Sequence, residues 1–399
     1  MISLRITPRT LKGTVVAPPS KSMAHRLILA ASLTKKEISR VDNVEFSEDI
    51  QATLNCVKTL GAEIDYCSFE DNIASLKIEG LTGKKNPYDI PNVTVVLDCG
   101  ESGTALRLLR PVAATLKLRV KFSGRGKLME RPQDTSFTDR LKAGKYELRG
   151  DVSSQFISGL LFALPNVRGK SEIIVTGPIE SKGYIEMTLN VLRQFGIQVE
   201  CDGLRRFTIK GPQKWKPCDT RVEGDWSQAA FWLVARAIGN DVTCEGVDDS
   251  SAQGDKVIAD IIRNDSGEAI EIDICDTPDL APILAVWLSC RKGGGRIVNA
   301  GRLRMKECDR LKAIVTELNK IGGKLKEHEN EIEVEYVPQF KGGEVDGWND
   351  HRIAMALAIA STRCSEDVII HGANCVNKSY PNFWKVFSSV GGKHERLGK

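Results

Sequence analysis

Six times along the chain, a short strand-like run leads into a polar, small-residue turn that opens a very apolar helix. The turns are PPSKSMAHR near Ser20, CGESGTALR near Ser102, RGDVSSQF near Ser153, EGDWSQAAF near Ser227, CDTPDLAP near Asp279 and GWNDHRIAM near Asp350. Successive turns lie 82, 51, 74, 52 and 71 residues apart. The helices that follow, such as LILAASL and ISGLLFAL, are apolar around most of their circumference, so each must be buried on nearly every side. Between them come amphipathic helices that end in glycine and lead into a strand: TLNCVKTLGAEI, TLNVLRQFGIQV and IVTELNKIGGKL. Gly61, Gly196 and Gly322 there fit left-handed C-caps. SEIIVTG, RFTIKG, AIEIDICD and EIEVEYV alternate as strands do. Roughly two helices and four strands per unit, in six units, predict an α/β protein with two pseudo-equivalent halves of three units each. A boundary is expected within WKPCDT, residues 215–220.

Length agrees with more than one domain, since 399 residues exceed the roughly 150 typical of a single domain. Lys plus Arg total 56 against 52 Asp plus Glu, a net charge of +4. So small an excess argues against a nucleic-acid partner, which calls for a strongly basic stripe or tail. Eleven cysteines at irregular spacing, with no C-x-x-C pair, read as reduced thiols in a cytoplasmic protein and exclude zinc ribbons. The longest apolar run, Leu280 to Cys290, is too short to span a bilayer, so no membrane association is expected. The N-terminal MISLRITPRTLKG lacks an apolar signal core and reads as a first strand.

Helix N-termini present unpaired N–H groups and attract anions. The plain structural reading of Ser, Thr, Asp and Asn at the six helix starts is that they are N-caps. The flanking residues go further. Lys21 and Arg26 flank the first helix, Arg107 lies in the second, and Arg352 opens the sixth. A buried apolar helix has little reason to carry Arg in its first turns unless something anionic meets it. In LRMKECDRLKAI, Lys306 and Arg310 are four residues apart and are expected to share a helical face, with Asp309 and Lys312 as solvated charges. Arg131 and Lys378, each followed closely by Pro, are expected in fixed turns. The nucleotide-binding glycine motifs and H-E-x-x-H are missing, and the five histidines show no metal-ligand spacing. His25 and His351 read as local hydrogen-bonding partners, and nothing calls for a cofactor or metal.

PSKSMAHR, GESGTALR, MERP, DVSSQF, SKGYIEMTL, PDLA, MKECDRL, NDHR and NKSYP occur in that order between about residues 17 and 385. Together they resemble the 5-enolpyruvylshikimate-3-phosphate synthase family of enolpyruvyl transferases. The resemblance implies a two-domain inside-out α/β barrel, each domain three βαβαββ units around buried parallel helices. It places residues 14–218 in one domain and 1–13 with 219–399 in the other, with the active site in the cleft between them. It also implies transfer of the enolpyruvyl group of phosphoenolpyruvate to the 5-hydroxyl of shikimate 3-phosphate, by addition and elimination, with no cofactor and as a monomer.

By the same resemblance, Ser22, Arg26, Ser153, Ser154, Gln155, Ser181 and Tyr184 would meet shikimate 3-phosphate, with Lys21, Asp279 and Lys306 also in reach. Lys21, Gly103, Arg131, Gln155, Arg310, Arg352 and Lys378 would form the phosphoenolpyruvate site. Asp279 would take the hydroxyl proton, and the helix it opens is expected to keep it ionised. Glu307, with Lys21 or Lys306, would handle the proton at the methylene carbon. Two residues depart from the family pattern: Glu101 and Arg302 stand where many members carry Asn. Glu101 would repel phosphoenolpyruvate unless paired with a cation, whereas Arg302 could donate to the shikimate phosphate or point away. Competing expectations are a UDP-N-acetylglucosamine enolpyruvyl transferase and a catalytically silent anion-binding homologue. GRGKLMERP lacks the loop cysteine or aspartate of the first, and the intact charged set argues against the second.

Overall fold

The structure, a computed structural model, describes residues 2–81, 94–116, 118–134, 136–137 and 140–398. The chain forms two compact units, Pro19–Glu223 and Met1–Pro18 with Gly224–Lys399.

In the unit Pro19–Glu223, the alternating segments become three sheets. Strand Ile38–Glu45 pairs in parallel with Thr220–Arg221 and antiparallel with Ile73–Glu79, which in turn pairs with Glu63–Glu70. Gly169–Thr176 likewise has one parallel neighbour, Lys145–Arg149, and one antiparallel neighbour, Arg206–Gly211. Thr94–Asp98 and Arg119–Ser123 form a parallel pair. The buried helices of this unit are Lys21–Ser32, Gly103–Ala113 and Ser154–Ala163. The last two pack closely because residue 159 is glycine: a Cβ there would lie 2.4 Å from the Arg107 carbonyl oxygen. In helix Ser154–Ala163 every residue but Gln155 is buried, so that one polar side chain stands at the rim of an apolar rod.

The other unit repeats the pattern. Strand Leu4–Thr7 lies between Val368–His371 and Lys393–Arg396, antiparallel to both, with Leu4 opposite Ile370 and Arg396. Gly295–Val298 pairs in parallel with Ile270–Asp273 and antiparallel with Glu331–Glu335. Lys12–Val16 pairs in parallel with Asp241–Glu245 along its whole length. That pairing keeps residues 12–16 with the N-terminal strand, so the chain leaves this unit at Pro18 rather than at residue 13. It returns after Glu223, and WKPCDT stays within the first unit, where Trp215 stacks on Phe162 with ring centroids 6.1 Å apart. The buried helices here are Trp226–Ala237, Ala281–Cys290 and His351–Ser361, the last buried at every position.

The outer amphipathic helices Glu48–Thr59, Lys182–Gln194 and Arg310–Lys320 are those expected, and Gly61, Gly196 and Gly322 after them have φ of +106°, +75° and +94°. Among the described residues, the stretch between Ser123 and Lys145 holds only a short 3-10 turn, Leu128–Glu130, where a second helix of the unit was expected.

Candidate active site

The plain structural reading of the turns holds for five of the six. The side chains of Ser20, Ser102, Ser153, Asp225 and Asp350 each accept a backbone N–H of the helix they start. In the fourth turn the cap is Asp225, not Ser227. Asp279 is not at an N-cap position: it lies inside a 3-10 turn, Pro278–Leu280, ahead of helix Ala281–Cys290. Its carboxylate turns instead to three cations. Oδ1 accepts Arg310 Nη1 at 2.8 Å and Lys306 Nζ at 3.4 Å, and Oδ2 meets Arg352 Nη2 at 2.9 Å.

These cations are held by further partners. Arg310 donates to Glu307 at 2.7 Å and to Asp350 at 2.9 Å, with Arg310 and Asp350 both fully buried. Arg352 donates to Ser227 Oγ at 3.0 Å, and that hydroxyl donates to Asp225. Lys378 donates to the Asn349 carbonyl at 2.7 Å. Lys306 and Arg310 meet at Asp279, but not as neighbours on one helix face. Asp309 caps the helix at Arg310 by accepting the Lys312 N–H, so Lys306 and Glu307 lie before its first turn. Asp309 also pairs with Arg304 and is thus not a merely solvated charge.

Burial alone would raise the Asp279 carboxyl, but Arg352, Lys306 and Arg310 hold it well below the usual carboxylate range. The cations, rather than the helix dipole, keep it ionised. Burial lowers Lys306 to about 8 against the pull of Asp279, with the nearby positive charges of Arg310 and Arg302 adding to the depression. Despite burial, Arg310 is pushed well above its ordinary value by Asp350, Glu307 and Asp279. Of Asp279, Lys306 and Arg310, Lys306 is thus the one that exchanges its proton closest to neutrality.

In the unit Pro19–Glu223, Lys21 opens its helix and pairs with Asp49 at 2.8 Å. Arg26 is buried one turn on. It donates to the Ser22 carbonyl at 2.6 Å, Thr188 Oγ1 at 2.9 Å and the Tyr184 carbonyl at 3.0 Å, and lies over the Tyr184 ring. Burial brings Arg26 down to about 10, opposed by Tyr184. His25 bonds Thr53 at 2.7 Å, and burial together with Lys21 and Arg26 keeps it neutral. Ser181, buried and left-handed at φ +57°, starts the helix that brings Tyr184 and Thr188 to Arg26.

A second group forms where helix Gly103–Ala113 meets helix Ser154–Ala163. Arg107 donates to Gln155 Oε1 at 2.8 Å, and Gln155 Nε2 donates to Thr104 at 2.8 Å. Gly103 leaves room for two guanidinium groups, since a Cβ there would stand 3.0 Å from Arg131 Nη1 and 3.1 Å from Arg107 Nη1. Ser153 and Ser154 begin the helix that carries Gln155, and both are buried. Glu101 lies with its carboxylate against the Gly126 turn: a Cβ on Gly126 would meet it at 3.0 Å.

Arg107, flagged above only as a basic residue at an anion-attracting helix start, takes a place in the second group, and Asp49, Asp350 and Ser227 belong to these groups without having been given a site role. Arg107 had a signal, four residues past Gly103 on one helix face. Asp49 had none, being 28 residues from Lys21. Among the described residues no cluster of three or more His, Cys, Asp or Glu is placed to hold a metal ion. No described helix is long and apolar enough to cross a membrane, and all eleven cysteines are free.

Each of the two units thus sets three sheets around buried helices and carries its own cationic cluster. An EPSP synthase from Acinetobacter baumannii superimposes with a TM-score of 0.78 at 24% identity, covering 100% of both chains. The enolpyruvyl transferase NikO from Streptomyces tendae does so with a TM-score of 0.74 at 14% identity, covering 99% of both. Sequence narrows the class. The profile of EPSP synthase (3-phosphoshikimate 1-carboxyvinyltransferase) matches residues 6–139 and 135–387. A 3-phosphoshikimate 1-carboxyvinyltransferase of Clostridium kluyveri is 44% identical over 97% of each chain, and one of Clostridioides difficile 40% over 98% of each. The chain belongs to the EPSP synthase family.

Proposed function

We propose that the protein transfers the enolpyruvyl group of phosphoenolpyruvate to the 5-hydroxyl of shikimate 3-phosphate, releasing phosphate. Family membership supports the reaction, and the observation that carries the residue roles is the Asp279 carboxylate met by Arg310, Arg352 and Lys306. Arg310, Arg352, Lys378 and Lys21 bind phosphoenolpyruvate together with Arg131, Gly103 and Gln155. Arg26, Ser22, Ser153, Ser154, Ser181 and Tyr184 bind shikimate 3-phosphate, and Gln155 and Lys306 touch it as well. Two substrates carrying two phosphates and two carboxylates need such a set of donors.

In the first step the 5-oxygen bonds to C2 of phosphoenolpyruvate. Asp279 accepts the hydroxyl proton while Glu307, with Lys21 or Lys306, delivers one to the methylene carbon. In the second step the bond from C2 to the phosphate oxygen breaks, phosphate leaves with the proton that Asp279 had taken, and the new methyl group returns a proton to the group that delivered it. In the free enzyme Asp279 is too firmly ionised to be a good base. Substrate anions that draw Arg352, Lys306 and Arg310 toward themselves remove the groups that hold its pKa down, so binding itself strengthens the base. The chain supplies both clusters, which supports a monomer, and its eleven free thiols support a cytoplasmic location.

The deciding experiment is a phosphate-release assay with phosphoenolpyruvate and shikimate 3-phosphate, run beside UDP-N-acetylglucosamine as competing acceptor. Release only with the shikimate acceptor is expected. Release with the nucleotide sugar would reassign the acceptor, and release with neither would mark a silent homologue.

A further inference from the structure

The turn that delivers Asp350 has an unusual backbone. Trp348 and Asn349 are both left-handed, with φ of +50° and +52°. In that region Cβ crowds the following carbonyl, so a bulky aromatic is an outlier there, and two successive non-glycine residues need outside support. Glu317 gives it. This carboxylate sits in the outer helix Arg310–Lys320 with its side chain only 1% exposed. Oε1 accepts the Trp348 indole N–H at 2.7 Å, and Oε2 accepts the Asp346 backbone N–H at 2.9 Å. Lys320 Nζ closes both oxygens off at 3.0 and 2.9 Å. The Asp346 side chain in turn accepts the Trp348 backbone N–H, so the indole and both ends of the turn's entry are tied to one buried carboxylate.

The turn holds the next residues in place. The Asn349 carbonyl accepts Lys378 Nζ, and Asp350 binds both the Arg310 guanidinium and the Arg352 backbone N–H. A buried carboxylate without a part in the proton chemistry thus supports the turn whose next two residues hold Lys378 and the Arg310 guanidinium.

We infer that Glu317 is a positioning residue for phosphoenolpyruvate, acting through the indole of Trp348 to hold the left-handed turn that aims Lys378 and Arg310. The inference rests on the reading in which those cations bind phosphoenolpyruvate.

The test compares KM for each substrate and kcat in four variants. Trp348→Phe keeps the ring and deletes only the indole donor. Glu317→Gln keeps the shape, but it puts an NH2 group where one of the two accepting oxygens stood, so either the indole or the Asp346 N–H loses its acceptor. Lys320→Ala removes a half-exposed partner and leaves both bonds. Lys378→Ala tests the underlying reading. Trp348→Phe and Glu317→Gln are expected to raise KM for phosphoenolpyruvate by about tenfold, the scale of a lost buried hydrogen bond. KM for shikimate 3-phosphate is expected to stay within about twofold, with Lys320→Ala near wild type. KM does not depend on the folded fraction, so a merely structural role would reduce the amount of active enzyme and leave KM alone. If Lys378→Ala weakens phosphoenolpyruvate while Trp348→Phe does not, Glu317 is not a positioning residue and the site assignment stands. If Lys378→Ala leaves phosphoenolpyruvate unaffected, the assignment and the inference both fail.

Discussion

The Arg310 guanidinium and the Asp350 carboxylate meet at 2.9 Å with neither side chain more than 1% exposed. Asp350 also caps helix His351–Ser361, so one carboxylate fixes a helix start and orients a cation. Removing one member of such a pair strands the other charge away from water. Asp350→Ala is expected to lower unfolding stability by about 3 kcal/mol, the low end for a broken buried pair because Glu307 and Asp279 still face Arg310. Urea denaturation measures this. A loss below about 1 kcal/mol would show that the two remaining carboxylates suffice.

Asp279 and Lys306 make the pH profile informative. In the free enzyme Lys306 titrates at about 8, so kcat/KM is expected to fall above that pH as the lysine loses its charge. Anionic substrates favour protonated Lys306 and draw cations from Asp279, raising both groups. The profile of kcat, which reports the complex, should therefore lie to the alkaline side of the profile of kcat/KM on both limbs. Superimposable profiles would mean that binding leaves this cluster unchanged. For folding, the sign for Lys306 is the reverse of a stabilising pair. Its folded pKa is below its unfolded value of 10.5, so its contribution improves as pH rises from about 8 toward 10.5.

The repeated architecture could be read from the sequence because buried helices must be apolar all round and N-caps use few residue types. Ser20, Ser102 and Ser153 show both signals together. The site was legible as a set of residues and much less so as a set of contacts. Lys306 and Arg310 converge as their spacing suggested, but at Asp279 rather than along a helix face, because Asp309 starts the helix late. The ionisation of Asp279 comes from cations far off in sequence, and Lys21 finds Asp49 across 28 residues, a partnership that no local spacing encodes. Trp348 has no glycine in its place to announce a left-handed turn, and Glu317, which accepts its indole N–H, lies 31 residues away.

Asp279→Asn separates binding from chemistry. The amide keeps the shape but cannot take a proton, so kcat is expected to fall by about 10²- to 10⁴-fold, the range for a positioned base. Shikimate 3-phosphate binding should be nearly unchanged by calorimetry. The acid limit of stability should change too. The folded pKa is depressed, so the carboxylate's contribution is complete above its ordinary value near 3.8 and is lost as pH falls through the lower folded value. The variant should lack that component of acid unfolding. Wild-type turnover in Asp279→Asn would remove this residue from the mechanism.

Gly103→Ala tests the smallest change. The residue opens helix Gly103–Ala113, its side of the turn facing Arg131 and Arg107 rather than apolar neighbours. An added methyl would stand 3.0 Å from one guanidinium and 3.1 Å from the other, closer than ordinary contact, so both must move by a few tenths of an ångström. They are ends of flexible side chains and can do so without disturbing the fold, and alanine is the better helix former. Stability should thus hold or rise slightly while Arg131 is displaced and Arg107 loses register with Gln155. Binding of a small, multiply charged substrate depends on the placement of such donors, so KM for phosphoenolpyruvate is expected to rise by about tenfold, with KM for shikimate 3-phosphate within about twofold. Steady-state kinetics with each substrate varied in turn, alongside thermal melting, distinguishes the outcomes. A variant less stable than wild type with unchanged KM would mean that the methyl is accommodated by the backbone and that the glycine serves packing instead of anion binding.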